Sequence, residues 1–192
     1  MSGGEGDGGV AVRPIRADEH AAATALVERA YAEYGARMAP DAWAGLAAAV
    51  RAALADPGAA EWLVAVRVAV RGAARSAARD GELVGSVFLY PPAADAYGGL
   101  TAGAPWPEIR LLAVAPEARG VGAGRALMDA CVARARAMGA VALGLHTSAS
   151  MTAARRLYAA MGFVREPSYD FRPDGAELVE AYRLPLPPRP AD

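Results

Sequence analysis

A glycine-rich segment at residues 119–124 has the composition of a phosphate-binding loop. It reads Arg-Gly-Val-Gly-Ala-Gly and lies between an apolar run that predicts a strand, 109–114, and an amphipathic run that predicts a helix, 125–138. Glycines let main-chain N–H groups converge, and the helix N-terminus adds positive partial charge, so the segment could hold a pyrophosphate. Arg119 and Arg125 could add charge-assisted hydrogen bonds. The alternative is a tight strand-to-helix turn that binds no ligand.

The same residues disfavour other nucleotide-binding loops. A dinucleotide-binding loop needs glycine at its first, third and sixth positions, and the sixth position counted from Gly120 is Arg125. No acidic residue ends a second parallel strand where it could bind a ribose. Because every basic residue of the chain is arginine, a Walker A loop and Schiff-base chemistry are also excluded.

Two motifs resemble those of the GNAT superfamily of N-acetyltransferases. Residues 108–128 resemble its acetyl-CoA motif, Arg/Gln-x-x-Gly-x-Gly/Ala after the fourth strand, and residues 154–163 resemble its second motif, A-x-x-L-Y-x-x-x-G-F. The resemblance implies an α/β fold with a mixed, mostly antiparallel central sheet, whose fourth and fifth strands splay apart and whose faces are flanked by helices. It also implies an acyltransferase that moves an acetyl group from acetyl-CoA to a primary amine of a small molecule or peptide, by direct attack in a ternary complex.

The resemblance assigns one group of residues to acetyl-CoA. It implies that main-chain N–H groups of the loop hold the pyrophosphate and that the pantetheine arm pairs with the backbone of the splayed fourth strand. The expected cofactor-binding residues are Leu112, Ala113, Val114, Arg119, Gly120, Val121, Gly122, Ala123, Gly124 and Arg125. Met151 departs from the pattern, because many relatives have an asparagine there that donates a hydrogen bond to the arm. Thr147, Ser148 or Ser150 could replace that donor or cap the next helix.

Two residues are catalytic candidates under this resemblance. Tyr158 matches the tyrosine whose hydroxyl protonates the departing thiolate; the alternative is a core aromatic on the apolar face of its helix. Glu108 is the first candidate for the base that deprotonates the amine, and a solvent-facing strand-edge residue is its alternative. His146 could act instead, or only hydrogen-bond to the backbone. Cys131 lies on the apolar face of the 125–138 helix and predicts a packing group, which disfavours an acetyl-cysteine step.

Aromatic residues of two predicted helices, 18–34 and 41–54, and of a long loop, 91–107, predict the acceptor pocket. Asp18 is the predicted cap of the first helix. The candidate pocket residues are Tyr31, Tyr34, Met38, Trp43, Tyr97 and Trp106. This aromatic set with few carboxylates favours a small or moderately apolar amine, or a peptide N-terminus, over a polycation.

The remaining elements complete a single predicted domain over residues 11–186. Strands are predicted at 10–16, 61–70, 82–90 and 141–146, a helix at 151–161, and a hairpin of 163–171 with 177–186. The turn signals are Asp80-Gly81 and residues 173–175, and the segment 71–79 could be helical or mobile. Residues 1–10 predict a disordered leader, and the proline-rich residues 187–192 predict a tail.

Composition narrows the class of protein further. The chain has 192 residues, a net charge of −1, one cysteine and two histidines, which excludes an internal disulfide and predicts no metal site. Its arginines are scattered, so we expect no nucleic-acid partner, and no apolar segment is long enough to span a membrane. We expect a cytoplasmic protein, with a homodimer possible. The rival interpretation is a non-catalytic acyl-CoA-binding module, and a third is a nucleotide-binding fold without acyl transfer.

Overall fold

The computed structural model describes residues 9–68, 81–101, 103–173 and 176–187 and is built around one sheet. The strands are β1 (Gly9–Pro14), β2 (Glu61–Val68), β3 (Glu82–Tyr90), β4 (Glu108–Val114), β5 (Ala142–Ser148), β6 (Val164–Arg165) and β7 (Val179–Pro185). Their order is β1-β2-β3-β4-β5-β7-β6, and all neighbours are antiparallel except β4 and β5, which are parallel. The mixed, mostly antiparallel sheet predicted from the resemblance is therefore confirmed.

Helices cover this sheet and supply much of its core. They are α1 (His20–Ala32), α2 (Pro40–Ala55), α3 (Ala123–Ala137) and α4 (Thr152–Ala160). Proline suits the first position of α2, because its missing N–H would have no partner there. Gly139, with a φ of 70°, follows the end of α3. α3 buries Leu127, Met128 and Cys131 against the sheet, while α1 packs on β3 and β4.

β4 and β5 separate soon after they begin. They pair only at Glu108 with Gly144 and at Ile109 with Leu145, so the rest of β4 has no strand partner on that edge among the described residues. A bulge in the β3–β4 pairing lies at this point, and Leu111 there has a φ of 54° despite its side chain. A left-handed residue of this kind costs about 1–2 kcal/mol, and the bulge bends the strand. The predicted splay is confirmed.

The structure corrects three predicted boundaries. β1 begins at Gly9, so the last two residues of the predicted leader belong to the sheet. Asp18 does not cap α1; it lies in a 3₁₀ turn, Ala17–Glu19, where the Glu19 carboxylate accepts a hydrogen bond from the Arg16 N–H at 3.0 Å. Residues 163–171 do not form one strand, because a 3₁₀ turn, Pro167–Tyr169, follows the short β6. Proline at its start removes a donor that a continuing strand would need.

Several predictions fall outside the described residues. These are most of the leader (1–8), the segment 71–79, Asp80 of the first turn signal, residues 174–175 of the second, and the tail from 188 onward. None of the helices in the described ranges has both the length and the apolar character that a bilayer span requires.

Candidate active site

The loop between β4 and α3 presents main-chain donors. Gly120 and Gly122 have φ values of 86° and 84°, a conformation that glycine adopts without strain. In the described part of the chain, the N–H groups of residues 120–125 donate to no protein acceptor; the first to do so is the Ala126 N–H, which donates to Gly122 O at 2.9 Å. These free donors lie at the positive end of the α3 dipole, an arrangement that suits an anion.

Backbone conformation requires glycine at two positions of this loop. A Cβ on Gly120 or Gly122 would meet nothing within 4 Å, so at those positions the left-handed φ alone favours glycine. A Cβ on Gly124 would lie 3.4 Å from the Val114 side chain and 3.5 Å from that of Leu157. These are ordinary van der Waals distances, so neither packing nor backbone conformation demands glycine at 124.

The two arginines of the loop already have acidic partners. Arg119 Nη2 lies 2.7 Å from Glu33 Oε2, and Arg125 Nε donates to both Asp129 carboxylate oxygens at 2.9 Å. Both arginine side chains are more than half exposed. An anion at the loop would compete with these carboxylates for the arginine side chains. The main-chain N–H groups, which have no such competitor, are therefore the better candidates for binding an anion.

A cavity of about 270 Å³ opens beside the diverging strands, between α1, α2 and the loop before β4. Its wall is mostly apolar and aromatic. The predicted acceptor residues on it are Tyr31, Tyr34, Met38 and Tyr97, and the predicted cofactor residue on it is Leu112. Tyr158, His146 and Met151 also line it. Residues far apart in the chain are thus brought to one cavity.

Two predicted acceptor residues do not line this cavity. Trp43 lines a separate pocket of about 90 Å³, together with Glu28 and Arg51. Trp106 stacks near Tyr169, with the ring centroids 5.0 Å apart, and fills the space that a side chain at Gly144 would take. Trp106 therefore packs against β5. Of the aromatic residues predicted for the acceptor pocket, only Tyr31, Tyr34 and Tyr97 line the cavity.

Tyr158 is a buried aromatic residue that also lines the cavity. Its ring lies 5.7 Å from that of Phe163. Burial is the main cause that raises the pKa of Tyr158, so the hydroxyl keeps its proton at neutral pH. A protonated phenol on a cavity wall can act as a hydrogen donor.

Glu108 and His146 form a buried pair behind the cavity. Glu108 Oε1 lies 3.2 Å from His146 Nδ1, and the histidine and glutamate side chains are 2% and 5% exposed. His146 Nε2 lies 2.9 Å from the Tyr169 carbonyl oxygen, which can only accept, so Nε2 carries a hydrogen. Nδ1 lies on the side of the carboxylate but makes no hydrogen bond to it or to any other described residue. Glu108 does not face solvent, because β5 and Trp106 cover it.

Tyr97 belongs to the same buried group. Its ring lies 4.7 Å from that of His146 and 5.2 Å from that of Phe171. Its hydroxyl is buried and has no hydrogen-bond partner among the described residues. Burial first, and then the nearby Glu108, raise the pKa of Tyr97 well above its usual range. Tyr97 thus offers a protonated hydroxyl beside the glutamate–histidine pair.

The polar residues around Met151 do not cap α4 through their side chains. Met151 itself is the N-cap. Ser148 and Ser150 hydroxyls lie 2.8 Å apart, and Ser150 donates to Glu177 Oε1 at 2.8 Å. The buried Thr147 hydroxyl has no partner within the described ranges and lies on a cavity-lining residue, so it is free to bind a ligand.

Arg110 is a cavity residue that the sequence analysis missed. It lies two residues after Glu108 on β4, so both side chains leave the strand on one face. That alternation, together with the proximity to Glu108, was the available signal. Cys131, in contrast, is fully buried in α3 as predicted, and burial raises the pKa of its thiol to about 12. Among the described residues no cluster of His, Cys, Asp or Glu could hold a metal ion, and metal-free chemistry stays a prediction.

The splayed mixed sheet and the glycine loop have the architecture of an acyltransferase, and comparison with known proteins identifies the family. The family model described as "Acetyltransferase (GNAT) family" matches residues 59–163. This match covers more than half of the chain, so the protein belongs to the GNAT acetyltransferases. No curated protein matches the sequence.

Solved structures of low sequence identity share this fold. A GCN5-related N-acetyltransferase from Rhodopseudomonas palustris has 21% identity and a TM-score of 0.62, with 96% of this chain and all of that chain covered. A GNAT family acetyltransferase from Brucella melitensis in complex with acetyl-CoA has 20% identity and a TM-score of 0.56, with 93% and 89% covered. The ribosomal-protein-S18-alanine N-acetyltransferase from Escherichia coli has 19% identity and a TM-score of 0.56, with 92% and 93% covered.

Proposed function

We propose that this GNAT acetyltransferase moves an acetyl group from acetyl-CoA to a primary amine, with both substrates bound together. The observation that carries the proposal is the run of free N–H groups at residues 120–125, which follows a strand, β4, that has lost its partner strand and lines the cavity with residues 109–112. The first turn of any helix leaves such donors, and the left-handed glycines at 120 and 122 extend the run into the loop.

The chain's own groups fit acetyl-CoA in two places. The amides of residues 120–125 suit its pyrophosphate, and the free edge of β4 at Leu112 and Val114 suits the amides of its pantetheine arm, much as an added strand would. Thr147 offers a hydroxyl near the position where Met151 lacks a polar group. The bound cosubstrate supplies an acetyl group activated as a thioester. A complex structure in the GNAT fold with acetyl-CoA supports this assignment.

In our proposal, Tyr158 supplies the proton that the departing thiolate needs. Burial holds its hydroxyl in the protonated form, and the residue faces the cavity from α4. A general acid must carry its proton at the working pH, which the raised pKa of Tyr158 ensures. The match to the second family motif and the position on the cavity wall point to the same residue.

The Glu108–His146 pair is the base in this proposal. An amine attacks only when neutral, so its ammonium form must lose a proton to the enzyme. Because Nε2 of His146 is committed to the Tyr169 carbonyl, its Nδ1, which has no hydrogen-bond partner among the described residues and lies 3.2 Å from Glu108 Oε1, is the ring atom that accepts the proton in this proposal. Both side chains are almost completely buried, so the proton reaches them through water that enters the cavity. Attack is direct, since Cys131 lies away from the cavity.

A ligand panel separates this proposal from its two rivals. We expect acetyl-CoA and CoA to raise the melting temperature, because a ligand at a hundred times its Kd stabilises a fold by about 2.7 kcal/mol, whereas NAD and ATP have no effect. A panel of amines with thiol detection then measures turnover. Stabilisation by CoA without turnover of any amine would favour the non-catalytic acyl-CoA-binding module. Stabilisation by NAD or ATP alone would favour the nucleotide-binding fold without acyl transfer. A cytoplasmic location and a homodimer stay predictions.

A further inference from the structure

Arg110 is the positive charge of the cavity wall. It is half-buried and is the only arginine among the described lining residues. Its Cζ lies over the Tyr97 ring, 4.9 Å from the centroid, and its Nη1 donates to the Ala96 carbonyl. Nη2 lies 3.5 Å from the Ala49 carbonyl of α2. These contacts hold the guanidinium in one place between α2 and the loop before β4.

Arg110 differs from Arg119 and Arg134 in its partners. Arg119 and Arg134 each pair with a glutamate, but no carboxylate forms an ion pair with Arg110 in the part of the chain that the structure describes. Asp95 in the adjoining loop is the nearby carboxylate that interacts electrostatically with Arg110, but it forms no ion pair with it, and its Oδ1 accepts the N–H groups of Tyr97 and Gly99 at 3.0 Å. A guanidinium has five donors in a planar fork that matches a carboxylate, and burying it without a counter-charge is costly.

The spacing of Glu108 and Arg110 along β4 sets the distance between the two groups that an acceptor would contact. Residues two apart on a strand lie on one face, about 6.6–6.8 Å apart along it. An acceptor with its amine toward the Glu108–His146 pair would reach Arg110 with a group a few bonds from that amine. Most of the remaining wall is apolar and would hold a hydrocarbon side chain. The apolar residues that face this space are Tyr31, Tyr34, Leu46, Leu100 and Phe171.

We propose that Arg110 binds the carboxylate of the acceptor, and that the acceptor is a small amino acid with an apolar side chain. The inference rests on the proposed function, for which it names the acceptor class. The two acidic residues of the wall do not favour a polycation instead, because Asp41 is exposed at the start of α2 and Glu177 already accepts the Ser150 hydroxyl. A peptide N-terminus would place a neutral amide opposite Arg110 and leave its charge unpaired.

The decisive experiment is a binding comparison that needs no turnover. N-acetyl-L-leucine and N-acetyl-L-leucinamide, which differ only in the carboxylate, are titrated calorimetrically into the protein saturated with CoA. We expect the acid to bind at least about tenfold more tightly than the amide, because hydrogen bonds to charged groups are the strong ones. Equal affinity for acid and amide would overturn the inference and favour a peptide N-terminus.

Variants of Arg110 tell whether that residue causes the preference. In Arg110→Gln the ratio of acid to amide affinity should fall to about one to threefold, and Arg110→Lys should keep part of it. The ratio is the diagnostic, since loosening of the Tyr97 loop would weaken both ligands alike. Arg136→Gln, on the exposed end of α3, is the matched control and should keep the full ratio. An unchanged ratio in Arg110→Gln would contradict the assignment.

The two proposals fail in different ways. If CoA does not bind and no amine is acetylated, the proposed function fails, while the same titration of acid and amide into the protein alone still tests Arg110. If amines are acetylated but leucine is no better than leucinamide or isopentylamine, the proposed function stands and the acceptor class is wrong. If Arg110→Gln does not fold, the comparison of the two ligands in the unaltered protein decides alone.

Discussion

The loop at residues 119–125 and the cavity lined by Tyr158 offer a ligand different kinds of group, main-chain amides in the loop and side chains in the cavity. The loop offers consecutive main-chain amides and needs only glycine conformations and a helix start to do so. The cavity offers side chains from α1, α2, α4 and the three strands β4, β5 and β7, and its polar groups range from the exposed Asp41 to the buried Thr147. The difference suggests a division of labour, in which the loop provides affinity for the cosubstrate and the cavity provides turnover and acceptor choice.

Tyr158→Phe gives the largest expected effect and tests the turnover half of this division. Removing the hydroxyl removes the proposed general acid, which predicts a loss of about 10²–10³ in kcat. The ring stays in place beside Phe163, so the Kd for CoA and the melting temperature should change little. Steady-state kinetics and calorimetry measure both. Tyr182→Phe, outside the cavity, is the control, and a full kcat in Tyr158→Phe would remove the residue from the chemistry.

Glu108→Gln tests the base with almost no change of shape. The amide lacks the negative charge that the carboxylate places beside His146, so it cannot stabilise a proton taken up there, and kcat/KM for the amine should fall by about 10². Glu61→Gln, which alters an ion pair with Arg134 away from the cavity, should retain activity. Activity of Glu108→Gln at the unaltered level would show that the buried pair is structural.

Gly122→Val tests whether the loop provides the affinity for the cosubstrate. Valine at a φ of 84° is strained by about 1–2 kcal/mol and displaces the amides around it, so the Kd for CoA should rise by about tenfold. At saturating acetyl-CoA the kcat should stay within about threefold, since no cavity residue moves. Gly58→Val has a similar φ of 57° in a remote turn and separates strain from loss of the loop. A fall in kcat with an unchanged Kd for CoA would contradict this assignment, because it would place the loop in turnover and not in cosubstrate affinity.

Cys131→Ala gives the smallest expected effect. The thiol is buried in α3 and its pKa is raised to about 12, so the thiolate is scarce at pH 8 and cannot form an acetyl-enzyme. We expect an unaltered kcat and a loss of about 1 kcal/mol in the free energy of unfolding, from the small cavity left behind. Mass spectrometry of the protein with acetyl-CoA alone checks for acetylation. Acetyl-cysteine in the unaltered protein would contradict direct attack.

Particular residues show how far the sequence could be used. The strand-loop-helix unit around Gly120 and Gly122 was predictable, since its residues are neighbours in the chain and each glycine has a local conformational reason. The left-handed Leu111 was not, because no local rule places a buried leucine at a φ of 54°; the sheet imposes it. Trp43 and Trp106 were predicted for the cavity because they are aromatic, but packing places them elsewhere. Arg110 was missed, since its meaning depends on which carboxylates are absent around it.

The amino-acid sequence by itself indicated the family, and it fixed the glycine loop, because backbone conformation and helix initiation are decided by neighbouring residues. Only the tertiary structure decided that Glu108 lies beside His146, that the Tyr97 hydroxyl is buried, and that Arg110 forms no ion pair among the described residues. These are relations between residues many positions apart. They exist only once the bulge in β4 and the packing of α2 have set the distances between them.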